Sequence, residues 1–149
     1  MSIYHHILVA LDYSEYGKAV AQKALMLTEQ QCARLSVVHV LDNIAMPDTE
    51  YGTSIPLTDS YTYPELEAEK EQFVRLVELL NLEPENAWLV WGNPKQEIVT
   101  LADKLSVDLI VTGSHGRHGF NALLGATANA VLHHARCDVL AVRIPELDE

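Results

Sequence analysis

The sequence predicts an α/β protein: a single doubly wound domain over residues 1–149, with a five-stranded parallel sheet in the order 3-2-1-4-5 and helices on both faces. Short apolar runs, typical of strands covered on both sides, alternate along the whole chain with longer amphipathic segments. Such alternation indicates parallel strands joined by right-handed helical crossovers. A chain of 149 residues with 48% apolar content is long enough for one core.

The first half of the predicted sheet begins with two strands and the helix between them. Residues 6–11 form an uninterrupted apolar run, and Ser14 follows it as a plausible N-cap for a helix that ends near Gln31. Residues 35–41 form the second strand. This arrangement is one complete strand–helix–strand unit.

One long loop is predicted at residues 42–62. The segment contains two prolines, one glycine and many turn-forming residues. Long loops in compact domains tend to be lids or other functional segments, so we expect a mobile loop that closes over a site or presents a partner surface. Pro64 then suits the first turn of the second helix.

The second half of the chain carries sharper local signals. Residues 87–91 form the third strand, after which Asn93 is predicted as an N-cap, Pro94 as the first helical residue and Gln96 as the returning partner of a capping box. The remaining elements are a strand at 107–112, a helix at about 127–135 and a strand at 138–143. These elements complete the five strands.

A glycine-rich segment, residues 113–127, links the fourth strand to the last helix. It contains four of the seven glycines, and no acidic residue occurs between Asp108 and Asp138 although the chain has 21. Glycines allow backbone amides to approach a ligand, and the first-turn amides of a helix are unpaired, so this pattern favours a phosphate site. The alternative is a purely structural turn, which is common in α/β proteins.

Topology independently indicates the same place. In doubly wound sheets, ligands bind at the carboxyl ends of the strands where the winding reverses. In the order 3-2-1-4-5 this point lies between the first and fourth strands. The loops that meet there are Ala10, Leu11 and Asp12 after the first strand, and residues 113–127 after the fourth.

Composition excludes several other classes of function. A formal charge of −11 argues against nucleic acid and against anionic membrane surfaces as partners, and no stretch approaches the ~20 apolar residues of a membrane span. Two cysteines without CxxC spacing suggest reduced thiols, so we expect a cytoplasmic protein. His115 and His118 have too few Asp, Glu or Cys residues near them in the sequence to form a metal site. No combination of residues typical of a catalytic site is visible.

The familiar nucleotide-binding motifs do not occur. The turn after the first strand lacks GxGxxG, and no GxxxxGK[ST] is present. Receiver domains need paired acids after the first strand, where only Asp12 stands. However, the opening YHHILVALD, the closing CDVLAVR and the stretch GSHGRHGFNALLGATANAVL from Gly113 resemble the universal stress protein family over nearly all of the chain.

The resemblance implies the fold described above and a nucleotide loop of pattern G-x2-G-x9-G-[S/T]. Gly113 and Gly116 match the first pair of glycines. Gly125 matches the third, but eight residues separate it from Gly116 instead of nine, and Ala126 replaces the Ser/Thr. The Ala126 amide and the Thr127 hydroxyl could substitute for the missing donor. The loss of one neutral contact is worth about 1 kcal/mol, up to tenfold in affinity.

The resemblance also assigns roles to individual side chains. Asp12 matches an acidic residue near the base or ribose, and Val40 matches a residue that lines the adenine pocket. Arg117 is the fixed positive charge of the loop and so a candidate phosphate contact, and His115 could donate to phosphate or pack over the ribose. The predicted cofactor-binding set is Ala10, Leu11, Asp12, Val40, Gly113, His115, Gly116, Arg117, Gly125, Ala126 and Thr127.

Together these patterns predict a stress-response module that binds ATP or ADP, with Mg²⁺ as a companion ion, and that has at most slow ATPase activity. The resemblance implies a homodimer through the last strand, where Val139, Leu140, Ala141 and Val142 would form an apolar edge. The alternatives are a dimeric protein-interaction module that binds no nucleotide, and a slow ATPase.

Overall fold

A computed structural model describes residues 2–12, 15–46, 49–114 and 125–143. Within them a six-stranded sheet is flanked by four helices. In chain order the elements are β1 (His6–Ala10), α1 (Glu15–Gln31), β2 (Arg34–Leu41), β3 (Thr53–Ser54), α2 (Pro64–Leu79), a 3₁₀ turn (Pro84–Asn86), β4 (Ala87–Trp91), α3 (Pro94–Lys104), β5 (Leu109–Gly113), α4 (Ala126–His134) and β6 (Asp138–Val142).

The sheet order is β3-β4-β2-β1-β5-β6. Without β3, all neighbouring strands are parallel, and their order corresponds to the predicted 3-2-1-4-5. The predicted fold class is therefore confirmed. The central strand is β1, which pairs with β2 on one side and β5 on the other.

The predicted count of five strands is wrong by one. β3 pairs antiparallel with β4 at the edge of the sheet, with Thr53 opposite Trp91 and Ser54 opposite Val90. It lies inside residues 42–62, which the sequence predicted as loop. Two residues are too few to show a strand periodicity, so this strand depends on hydrogen bonds offered by the β4 edge and is invisible to local pattern.

Helices cover both faces of the sheet, and each face has its own apolar core. The larger core packs α1 and α2 against the sheet, and its fully buried side chains include Ile7, Val9, Val37, Phe73 and Val111. The smaller core packs α3 and α4 against the opposite face, around Leu8, Val38, Ile98, Ile110 and Val131. Alternate residues of β1 and β5 therefore enter opposite cores, as expected for strands buried on both sides.

The α3 start tests the predicted capping signal. Asn93 is the N-cap, its side chain accepts a hydrogen bond from the Lys95 amide at 3.0 Å, and Pro94 is the first helical residue, as predicted. Within the described residues, Gln96 donates only its backbone amide, to the Asn93 carbonyl. No hydrogen bond from the Gln96 side chain to the Asn93 amide occurs among the described residues, so the return contact of the predicted capping box is not formed.

Part of the predicted loop is held against α2. The buried Lys70 ammonium donates to the Asp59 carbonyl at 3.0 Å and pairs with Glu67 at 3.0 Å, while the other Glu67 oxygen accepts from the Tyr61 amide at 2.9 Å. The Tyr61 amide and Lys70 together hold the pKa of Glu67 below its ordinary value. The predicted mobility of the loop at residues 42–62 stays a prediction. The contacts of Asp59 and Tyr61 indicate that the second half of this loop is anchored to α2.

A buried hydrogen bond joins β1 to β2 in the first halves of the two strands. His6 Nε2 lies 2.7 Å from Ser36 Oγ, and His6 Nδ1 lies 3.2 Å from the Leu105 carbonyl oxygen. Burial lowers the pKa of His6, and the nearby Arg34 charge adds to this. The neutral imidazole is therefore a structural link between strands.

Candidate functional site

The carboxyl ends of β1 and β2 are joined beyond their last paired residues. The Leu11 amide donates to the Val38 carbonyl at 2.9 Å, and the Leu11 carbonyl oxygen lies 2.7 Å from the buried His39 Nδ1. The first bond continues the backbone pairing of the two strands by one residue, and the second adds a side-chain link. They bring the predicted site residues Ala10 and Leu11 beside the end of β2.

Val40 and Ala10 lie on the same face of the sheet. Val40 is 6% exposed and belongs to the smaller core, and the half-buried Ala10 packs against that core. The structure therefore brings together two predicted residues that are 30 positions apart in the chain. Leu11 belongs to the opposite core, so its side chain points away from Val40 and its backbone is the part near β2.

Asp12 is held by the close approach of α1. A Cβ on Gly17 would stand far inside van der Waals contact with the Asp12 carbonyl oxygen, and 3.0 Å from Asp12 Oδ1. Glycine is therefore required for α1 to begin this close to the end of β1. Sequence reasoning did not single out Gly17, since an isolated glycine in a helical segment has no unique meaning.

The end of β5 meets the start of α4. The Ser114 amide donates to the Val142 carbonyl at 2.8 Å, which continues the pairing of Gly113 with Val142. The Ser114 carbonyl then accepts from the Gly125 amide at 2.6 Å. The chain thus returns to the end of β5, and Gly113 and Gly125 become spatial neighbours.

The N-terminus of α4 has no side-chain cap. The N-cap is Gly125, which has no side chain that could accept a hydrogen bond from the helix amides. Ala126 is the first helical residue and is exposed, and the first turn contains no acidic residue. The amides at a helix start have no partner within the helix and carry partial positive charge. Ala126 and Thr127 therefore present backbone donors beside the end of β5. The helix begins one residue before the predicted position.

Ser114 was not among the predicted binding residues. It is 9% exposed, and its Oγ is buried without a hydrogen-bond partner among the residues that the structure describes. Buried hydroxyl groups are normally bonded, so this one is notable. A serine in a glycine-rich turn gives no signal by itself, because its burial depends on contacts that local sequence does not show.

Several predicted features lie outside the described residues: Ser14 as a helix cap, and His115, Gly116 and Arg117 in the loop. Among the residues that are described, there is no group of three or more His, Cys, Asp or Glu side chains that could hold a metal ion. No helix in those same ranges is long and apolar enough to cross a membrane.

The family comparison covers almost the entire chain. Residues 3–143 match the model of the universal stress protein family. Universal stress protein A homolog 1 of Coxiella burnetii is 37% identical over 145 residues, which cover 96% of this chain and 99% of that protein. Homolog 2 of the same organism is 37% identical over 147 residues, covering 97% and 98%.

Solved structures show the same fold. A universal stress protein family member from Burkholderia pseudomallei superposes with a TM-score of 0.64 at 25% identity, covering 98% of this chain and 99% of the other. UspA from Lactobacillus plantarum gives 0.66 at 22% identity, covering 97% and 100%. A universal stress protein solved in complex with cAMP gives 0.69 at 21% identity, covering 95% and 98%.

Proposed function

The chain belongs to the universal stress protein family, and on that premise we propose that it is an ATP- or ADP-binding module of a stress response. The nucleotide would occupy the carboxyl ends of β1 and β5, where the winding of the sheet reverses. A solved relative of the same fold holds the nucleotide cAMP. We further propose that the protein acts in the cytoplasm.

The observation that carries the proposal is the uncapped start of α4 beside the end of β5. The Gly125 amide is bonded to Ser114, and the next amides, those of Ala126 and Thr127, begin a helix without an acidic residue in its first turn. A helix start of this kind stabilises phosphate through its amides and its dipole. In a chain with net charge −11, a carboxylate-free helix start is a selective place for an anion.

The base and ribose would lie toward β1 and β2. Ala10 and Val40 share the α3 face of the sheet there, and Asp12 stands at the end of β1. A carboxylate can accept hydrogen bonds from ribose hydroxyls, or hold Mg²⁺ beside ATP phosphates. Gly116 and Arg117 are proposed to lie at the phosphates, His115 either donates to phosphate or packs over the ribose, and Gly113 stands at the start of that loop.

The first experiment examines freshly purified protein without added nucleotide. We expect denaturation to release ATP, ADP or AMP, detected by chromatography, or titration with Mg-ATP to give saturable binding heat. If millimolar Mg-ATP produces neither heat nor a thermal shift, the nucleotide-binding proposal is wrong. The chain would then be an interaction module, in which the glycine-rich segment serves as a turn. Release of inorganic phosphate from ATP above background would instead support the alternative function, a slow ATPase.

We also propose that the protein is a homodimer through β6. This strand is the sheet edge and pairs only with β5 within the chain that the structure describes; Leu140 is 37% exposed, Ala141 is exposed, Val139 is half-buried and Val142 is buried. An exposed strand edge with apolar side chains is a template for pairing with a second strand.

Leu140→Lys is therefore expected to convert a dimer into a monomer, because a lysine on each copy would be buried unpaired at the contact. Light scattering coupled to size exclusion would measure the mass. Leu79→Lys is the matched control, since Leu79 is 67% exposed at the end of α2 on another part of the surface. A monomeric wild-type protein at micromolar concentration would contradict the dimer.

A further inference from the structure

The carbonyl group just beyond β1 is held by a side chain, the buried imidazole of His39, and we propose that His39 is a positioning residue for the nucleotide site. It fixes the peptide between Leu11 and Asp12 and so sets the place of the Asp12 carboxylate. This inference rests on the proposed function above and extends it to a residue outside the predicted binding set. His39 acts through Asp12 and does not itself touch the nucleotide.

Leu11 is bonded to β2 in two different ways. Its amide donates to the Val38 carbonyl at 2.9 Å, which is a backbone bond between neighbouring strands. Its carbonyl oxygen lies 2.7 Å from His39 Nδ1, and no backbone amide among the described residues donates to that oxygen. A carbonyl oxygen only accepts, so Nδ1 carries the hydrogen. The imidazole therefore replaces the backbone as the donor where β1 ends.

The His39 ring is enclosed by the larger core. His39 is 7% exposed, and its neighbours at alternate positions of β2, Val37 and Leu41, both belong to that core. Alternation along the strand puts the His39 ring on the same face. Phe73 of α2 lies near it, with the ring centroids 6.3 Å apart and the ring planes 30° apart. The bond to Leu11 is therefore buried, and a hydrogen bond is stronger in such surroundings than in water.

The Leu11 carbonyl determines where Asp12 begins. A peptide unit is planar, so the direction of this carbonyl also fixes the Asp12 amide and Cα. A second constraint comes from α1, because a Cβ on Gly17 would stand 3.0 Å from Asp12 Oδ1. Asp12 is thus held by two elements, β2 through His39 and α1 through Gly17. It lies at the strand end where the base and ribose are proposed to bind.

The test compares two substitutions of nearly the same shape. His39→Asn keeps a donor nitrogen at the same number of bonds from the backbone as Nδ1, whereas His39→Leu has a methyl group there. Titration calorimetry measures the affinities for adenosine and Mg-ATP. We expect His39→Leu to bind both ligands about tenfold more weakly than the wild-type protein, or worse, because Asp12 is no longer preorganised. His39→Asn should recover most of that loss.

A double-mutant cycle examines whether His39 acts through Asp12. Asp12→Asn alone is expected to weaken the binding of both ligands. Adding His39→Leu to Asp12→Asn should cause little further loss, because the carboxylate that His39 positions is already absent. Losses that add would show that His39 affects the ligand by another route.

Ser36→Ala is the control for stability without position. Ser36 Oγ lies 2.7 Å from His6 Nε2, which is another buried side-chain link between β1 and β2, in the first halves of the strands. Its loss is expected to lower the melting temperature and to leave both affinities unchanged. A lower stability of the His39 variants therefore does not by itself account for weaker binding.

Three results would overturn the assignment of His39: an affinity of His39→Leu equal to that of the wild type, binding by His39→Asn as weak as by His39→Leu, or additive losses in the cycle. If His39→Leu does not fold, His39→Gln takes its place. Its amide is one methylene further from the backbone, so it should bind more weakly than His39→Asn.

The same measurements separate this assignment from the proposed function. If the wild-type protein binds neither adenosine nor Mg-ATP, the proposed function itself fails, and the role of His39 fails with it. If the wild type binds and His39→Leu binds equally well, the proposed function stands and only the role of His39 is refuted.

Discussion

Replacing Ala126 with glutamate is expected to abolish ATP binding while leaving the fold intact. Ala126 is exposed and is the first residue of α4, so a larger side chain meets no core there. The glutamate carboxylate would sit where the phosphate is proposed to bind. Two unit charges about 4 Å apart near a protein surface repel by about 4 kcal/mol, which corresponds to a loss of affinity of more than a hundredfold.

The same substitution should raise or preserve stability. A negative charge in the first turn of a helix interacts favourably with the helix dipole, by about 0.3–1 kcal/mol. Binding and melting temperature are therefore expected to move in opposite directions. These quantities can be measured by calorimetric titration with Mg-ATP and by thermal unfolding of ligand-free protein.

Ala126→Gln is the matched control, because it has the same size without the charge. It should keep most of the affinity for Mg-ATP. If both variants lose binding equally, the effect is steric. If neither does, the phosphate is not bound at the start of α4.

Gly17→Ala is expected to destabilise the protein, although replacing a helical glycine with alanine usually stabilises by about 0.5–1 kcal/mol. The new Cβ would overlap the Asp12 carbonyl oxygen and stand 3.0 Å from Asp12 Oδ1, so α1 must move away from the end of β1. Forced repacking of this kind costs about 1–3 kcal/mol. The free energy of unfolding from denaturant titration gives the sign directly.

The movement of α1 would also displace Asp12, so nucleotide affinity should fall together with stability. Lys18→Ala is the control, because Lys18 is the exposed next residue of the same helix and its loss should change the unfolding free energy little. A more stable Gly17→Ala protein would mean that α1 does not approach Asp12 closely, and would remove the reason for a glycine at this position.

Local signals were sufficient for most of the secondary structure. The third predicted strand, residues 87–91, the start of α2 at Pro64 and the Asn93 cap all agree with the structure. Each depends on residues next to one another in the chain: an apolar run, a proline in a first turn, or a side chain that bonds an amide two positions on. The alternation of these elements then restricts the sheet to very few orders.

The candidate site was only partly predictable. Its position at the ends of the first and fourth predicted strands follows from the strand order, and its glycines stand out by spacing. The resemblance to the family added Val40, which the structure does place on the same face as Ala10. The start of α4 differs from the predicted start by one residue, since helix ends depend on contacts outside the helix.

The sequence by itself determined the fold class, the order of the parallel strands and the glycine-rich turn, because these follow from periodicity and local backbone preference. Tertiary structure alone decided three features: the additional strand β3, the approach of α1 to Asp12 and the burial of the Ser114 hydroxyl. β3 requires the open edge of β4, the glycine at position 17 is required because α1 passes close to Asp12, and the Ser114 backbone is bonded to Val142 of β6 and to Gly125 at the start of α4. The contacts of β3 and Ser114 join distant parts of the chain, and all three features exist only after the sheet and its helices have assembled.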